Sequence, residues 1–108
     1  MTFNEYQELA KQTAIYPKNR GLDYTIHGLL SEAGEVAGKW KKIIRDENDI
    51  LTPEKKLDLK KEIGDCIWYI SQILVEIGED FDSCAKENIE KLLSRKNRRV
   101  ISGSGDNR

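Results

Sequence analysis

The apolar positions of this chain recur at helical spacing from one end to the other, and nowhere do they alternate with period two for long enough to propose a strand. Thr2 and Glu5 fit a capping box. They start a helix running to about Ile15, with Phe3, Tyr6, Leu9 and Ala10 as its buried face, before Pro17, Asn19 and Gly21 break the pattern. A second helix is predicted from about Asp23 to Arg45, with Leu29, Leu30, Ala33, Val36, Ala37, Trp40 and Ile44 as its apolar stripe. Residues 46–49 form a polar connection. Thr52-Pro53-Glu54 then supplies a cap, a first-turn proline and an acid at the positive end of a third helix. Its stripe is Leu59, Ile63, Cys66, Ile67, Ile70, Ile73, Leu74 and Ile77, and Gly78 is its left-handed stop. Asp80 or Asp82 caps a fourth helix to about Asn97, packed through Cys84 or Ala85, Ile89, Leu92 and Leu93.

The pattern gives an all-α chain with one helical domain over residues 1–99 and a Gly/Ser-rich tail, residues 100–108, expected to be disordered. Short links make the second and third helices antiparallel neighbours.

Both long helices carry an acidic pair three residues apart, Glu32 with Glu35 and Glu62 with Asp65, along the flank of the stripe. The antiparallel arrangement brings the pairs opposite each other. Two readings fit: ordinary solvated flank charges, or a cation site. Two carboxylates 4–5 Å apart repel by about 3–4 kcal/mol at an effective dielectric near 20, so four at a helix interface need a counter-cation or must splay into water. Oxygen ligands favour a hard ion, Mg²⁺ or Mn²⁺ before zinc, and Mg²⁺ commonly completes its shell with phosphate. Gly34 and Gly64 lie inside the pairs, each costing about 1 kcal/mol against Ala. They suggest a crowded surface, from close helix approach or from a ligand.

Composition narrows the field. With 18 basic against 19 acidic residues the net charge is −1, which gives no general attraction for nucleic acid or an anionic membrane. Two cysteines make no disulfide framework, and no signal peptide or apolar run long enough to span a bilayer is visible, so the expectation is a cytoplasmic protein. The single histidine, His27, leaves no Glu-x-x-His motif of the di-iron bundles. His27 lies off the acidic flank, which suits a surface or packing role. A hydrophobic content of 38% in 108 residues suits amphipathic helices that self-associate.

The run from Leu29 to Ala37, then Glu62-Ile63-Gly64-Asp65-Cys66-Ile67-Trp68-Tyr69, then Asn88-Ile89-Glu90-Lys91-Leu92, resembles the MazG-like nucleotide pyrophosphohydrolases of the all-α NTP pyrophosphatase superfamily. Tyr6-Gln7-Glu8-Leu9-Ala10 and the closing Gly103-Ser104-Gly105-Asp106-Asn107-Arg108 extend the resemblance over nearly the whole chain. It implies a four-helix bundle-like MazG fold with antiparallel central helices, assembled as a homodimer or homotetramer. It further implies hydrolysis of a nucleoside triphosphate between the α and β phosphates, with Glu32, Glu35, Glu62 and Asp65 holding Mg²⁺. Glu32 or Glu35 would orient or deprotonate the attacking water. Lys39, Asn88, Lys91 and Arg95 are candidates for the triphosphate, with surface ion pairing the alternative for Lys91 and Arg95. Tyr69 is the candidate to stack on a base or sugar, whereas core packing is favoured for Trp40 and Trp68. The same acids would serve a dUTP/dCTP pyrophosphatase, a phosphoribosyl-ATP pyrophosphohydrolase or, from a different class, a non-catalytic helical interaction module.

Overall fold

The structure is a computed structural model that describes residues 1–108. Helix α1 (Phe3–Lys11) opens on the expected capping box, Thr2 Oγ1 accepting from Glu5 N at 3.0 Å. It ends earlier than the apolar pattern suggests. Its last turn tightens to three-residue hydrogen bonds, the Thr13 hydroxyl donates back to the Ala10 carbonyl at 2.8 Å, and Ile15 stands 96% exposed. Threonine favours such local backbone bonds over a continued helix.

A single 3-10 turn, Lys18–Arg20, leads into α2 (Gly21–Asp46). Then come α3 (Pro53–Glu76), capped by the Thr52 hydroxyl, and α4 (Phe81–Asn97), capped by Asp80 rather than Asp82. Gly78 has φ +76°, the left-handed stop its position predicts. All four elements are α-helices, in the expected order.

Helices α2 and α3 form the central antiparallel pair. Gly21 faces Glu76, Gly28 faces Tyr69, Glu32 meets Asp65 and Lys39 meets Glu62, so each advance along α2 is matched by a retreat along α3. Helix α1 lies across the C-terminal half of α3, and α4 packs on α1. Phe3 stacks on Phe81 with ring centroids 4.5 Å apart, and Tyr6 meets the same ring edge-on. A buried amide fixes this corner. Gln7 Nε2 donates to the Glu79 carbonyl at 3.0 Å, and its Oε1 accepts from Phe81 N at 3.1 Å. One side chain thus satisfies backbone groups on both sides of the α3–α4 turn, as buried polar groups require.

The core is thin. Only 11 of 108 residues are buried, and five of those are polar or charged, including Thr25, Ser71 and Gln72. The predicted stripes are largely open within one chain: Leu30, Ile44, Ile63, Ile77, Ile89 and Leu93 all remain exposed. Accordingly the radius of gyration is 16.9 Å, against about 13 Å for a compact chain of this length. The four helices spread apart because α4 follows α1 instead of closing over α2 and α3.

The tail departs from the expected disorder. Residues 100–108 fold back along α4, where the Arg108 guanidinium donates to the carbonyls of Val100 at 3.1 Å, Ile101 at 3.0 Å and Gly105. Gly103 and Gly105, at φ +118° and +87°, supply turns that residues with side chains rarely adopt. No helix is long and apolar enough to cross a membrane.

Candidate metal centre

Where α2 and α3 run side by side, carboxylate oxygens of Glu32, Glu62 and Asp65 lie within 4.8 Å of one another. The i, i+3 spacing puts Glu62 and Asp65 on one face of α3, and the antiparallel register brings Glu32 across to them. Glu35, one turn further along α2, is exposed and stands outside the trio, although its charge still acts on Glu32. Partial burial pushes the Glu32 carboxyl above its usual range, helped by Asp65, Glu62 and Glu35. The neighbouring Cys66 thiol is also raised, first by burial and then by the same acids. Burial leads both shifts, and the crowded acids add to it.

Lys39 partly balances it, with Nζ 3.9 Å from Glu62 Oε1. Mg²⁺ takes oxygen ligands at about 2.0–2.1 Å. Three carboxylates this close, from two helices and with neither thiolate nor imidazole among them, fit such a hard ion.

Beside Glu32 opens a groove of about 490 Å³ bounded by Asp23, Tyr24, His27, Gly28 and Tyr69, with Arg20 at its rim. Tyr24 and Tyr69 belong to an aromatic run: Tyr16 stacks on Tyr24 at 5.4 Å, Tyr24 lies 6.5 Å from Tyr69, and Trp68 meets Tyr69 edge-on at 5.0 Å. Trp68 is anchored by its indole N–H, which donates to the Thr13 hydroxyl at 2.8 Å. Tyr16 is buried and donates its hydroxyl to Glu76 at 2.7 Å. Burial and that carboxylate push the Tyr16 phenol up to about 12. His27 borders the groove that Glu32 also lines, its Nδ1 directed at the Asp23 carbonyl at 2.7 Å, although the helical wheel set it off the acidic flank.

The glycines divide differently from the sequence expectation. A Cβ on Gly34 or Gly64 would meet nothing within 4 Å, so neither residue marks a crowded contact within the chain. Crowding falls instead on Gly28, whose added Cβ would collide with the Tyr69 ring, and on Gly21, whose Cβ would collide with the Glu76 carboxylate. The helical wheel alone contained part of this. Gly28 is one turn before Glu32 and Tyr69 one turn after Asp65, so the register that joins the acids also joins these two.

The α4 candidates lie elsewhere in the chain. Asn88 is exposed, while Lys91 and the buried Arg95 meet Asp106 of the tail, at 3.3 and 3.4 Å, rather than the acidic trio. Tyr24 and Gly28 are groove residues that the acidic motif by itself did not single out.

Comparison with known proteins agrees with this architecture. Residues 20–100, which include the acidic trio and every residue lining the groove, match the family model of the MazG nucleotide pyrophosphohydrolase domain. The chain is also 45% identical to the Gene 37 protein of Mycobacterium phage L5 over 109 aligned residues, covering 95% of this chain and 96% of that protein. No solved structure matches it. With four helices, opposed acidic motifs and a match over most of its length, this chain belongs to the MazG nucleotide pyrophosphohydrolase family.

Proposed function

We propose that the chain is a Mg²⁺-dependent hydrolase that cleaves a ribo- or deoxyribonucleoside triphosphate between the α and β phosphates, releasing a monophosphate and pyrophosphate, in the service of nucleotide-pool house-cleaning. The observation that carries this reading is the convergence of Glu32, Glu62 and Asp65 at the mouth of an aromatic-walled groove. A polyphosphate needs concentrated positive charge and a nucleoside needs a flat apolar wall. The two adjoin here, with Glu32 common to both.

Glu32, Glu62 and Asp65 hold the cation in this proposal, and Glu35 completes the set by a side-chain rotation from its exposed position on the next turn. Mg²⁺, or Mn²⁺ in its place, supplies charge neutralisation at the phosphates and acidifies water beside them. Glu32 or Glu35 orients that water and accepts its proton. Lys39, already at the rim of the trio, takes a phosphate oxygen. Tyr69 and Tyr24 receive the base or sugar, for which ring stacking contributes about 1–3 kcal/mol per base in comparable sites. Asn88, Lys91 and Arg95 contribute to the polyphosphate from α4 of an adjoining copy, since within one chain α4 packs on α1.

Self-association accompanies this function, as a homodimer or homotetramer. The exposed apolar faces of α2, α3 and α4 supply the contact surface, and large exposed apolar patches mark interfaces.

The test is product analysis over a panel of ribo- and deoxyribonucleoside triphosphates with Mg²⁺. Monophosphate plus pyrophosphate is expected. Diphosphate plus phosphate, or no turnover with any nucleotide, would refute the assignment. Glu35→Gln is expected to reduce turnover at least about hundredfold while leaving helicity unchanged.

A further inference from the structure

The folded tail does something specific to the α4 cations. Lys91 and Arg95 are one turn apart on the same face of α4, and the Asp106 carboxylate sits against both, 3.3 Å from Lys91 Nζ and 3.4 Å from Arg95 Nη2. Arg95 Nη2 also donates to the Asp106 carbonyl at 2.8 Å and, more weakly, to that of Gly105 at 3.5 Å. A single carboxylate joining a lysine and an arginine reproduces how a phosphate would be held between them.

Two further observations separate this contact from an ordinary surface ion pair. Arg95 is 4% exposed, yet its Nε finds no acceptor, so a buried cation keeps an unused donor beneath the tail. The tail is also built to present Asp106. Arg108 ties Val100, Ile101 and Gly105 together through their carbonyls, and Arg98 donates to the main-chain oxygen of Arg108 at 2.8 Å. Asp106 itself remains 83% exposed, free to leave without opening a core.

We propose that Asp106 is an internal stand-in for phosphate that occupies the Lys91–Arg95 pair, and that an incoming polyphosphate takes the pair by displacing it, so the tail gates this anion-binding pair on α4. The inference rests on the proposed role of Lys91 and Arg95 toward the polyphosphate. On the Lys91 side the pair is open to solvent, with Lys91 39% and Asp106 83% exposed, so that contact is weak and the gate yields readily to a ligand bearing several charges. Its effect is to discriminate against singly charged anions, which gain too little from the pair to dislodge the carboxylate.

The experiment is calorimetric binding of inorganic pyrophosphate, in Mg²⁺, to the full chain and to Asp106→Asn, Arg108→Ala and Lys91→Ala. Asp106→Asn and Arg108→Ala are expected to bind about two- to fivefold more tightly, the scale of one exposed ion pair. Lys91→Ala should bind at least about tenfold more weakly. Hydrogen exchange on the unmutated chain provides a second readout, in which added pyrophosphate should speed exchange of the tail amides. Weakened binding in Lys91→Ala with no gain in the two tail variants overturns the gate and leaves the phosphate role of Lys91 standing. Unchanged binding in Lys91→Ala overturns both. Slower tail exchange on adding ligand also overturns the gate, because it means the tail closes over the anion.

Discussion

Three carboxylates held within 4.8 Å of one another repel, so the residues that make the candidate centre work against the fold until a cation arrives. Asp65→Asn removes one of these charges. It is expected to leave the metal-free melting temperature unchanged or slightly higher, to abolish the upward shift produced by Mg²⁺, and to reduce turnover at least about hundredfold. Thermal melts with and without Mg²⁺ read the first two effects. Loss of metal-free stability would instead make Asp65 a structural residue. Gly28 gives a prediction of different character. An alanine there collides with the Tyr69 ring, so Gly28→Ala should cost about 1–3 kcal/mol in chemical denaturation and raise KM for nucleotide more than it lowers kcat. Tyr16 gives a pH dependence. Its phenol ionises at about 12 in the folded chain, against about 10 unfolded. The stability it contributes is therefore complete below pH 10 and lost as pH rises from 10 to 12. Urea unfolding across that window should show the loss, and Tyr16→Phe should flatten it.

At the scale of elements, the helices were legible wherever a local signal fixed them. Thr2, Thr52 and Asp80 cap their helices through their own side chains, and Gly78 ends α3 through its backbone freedom. These are contacts within four residues, which a sequence displays directly. The early end of α1 was less visible because the chain beyond Lys11 is also positioned by Trp68 and Glu76, which lie 55 and 60 residues from their contacts Thr13 and Tyr16. Gln7 belongs to the same category, since nothing local distinguishes a polar residue that will be buried from one that will be solvated. Relative stabilities express the difference. Thr52→Ala loses one cap and should cost about 1 kcal/mol. Gln7→Ala strands backbone groups on both sides of the α3–α4 turn and should cost about 2–3 kcal/mol or more, measurable by denaturant titration of both variants in parallel.

For the whole molecule, the open arrangement decides what the apolar pattern means. The stripes were correctly identified as apolar, but a single chain leaves Ile89 and Leu93 about half exposed, at 50% and 51%. If α4 meets another copy, Ile89→Glu combined with Leu93→Glu should shift sedimentation to a smaller species and lower the thermal midpoint in a concentration-dependent way. Unchanged sedimentation would mean that the face is solvated.

The sequence by itself determined the helices, their order and the antiparallel pairing of the long two. Each depends on period, capping or short connections, all properties of neighbouring residues. Tertiary structure alone decided that Glu32, Glu62 and Asp65 converge while Glu35 stands apart, that Gly28 and not Gly34 lies under a ring, and that the tail folds onto Lys91 and Arg95. Those outcomes depend on the rotation of one helix against another and on carbonyls that become available only once the chain has turned back, and helical period specifies neither.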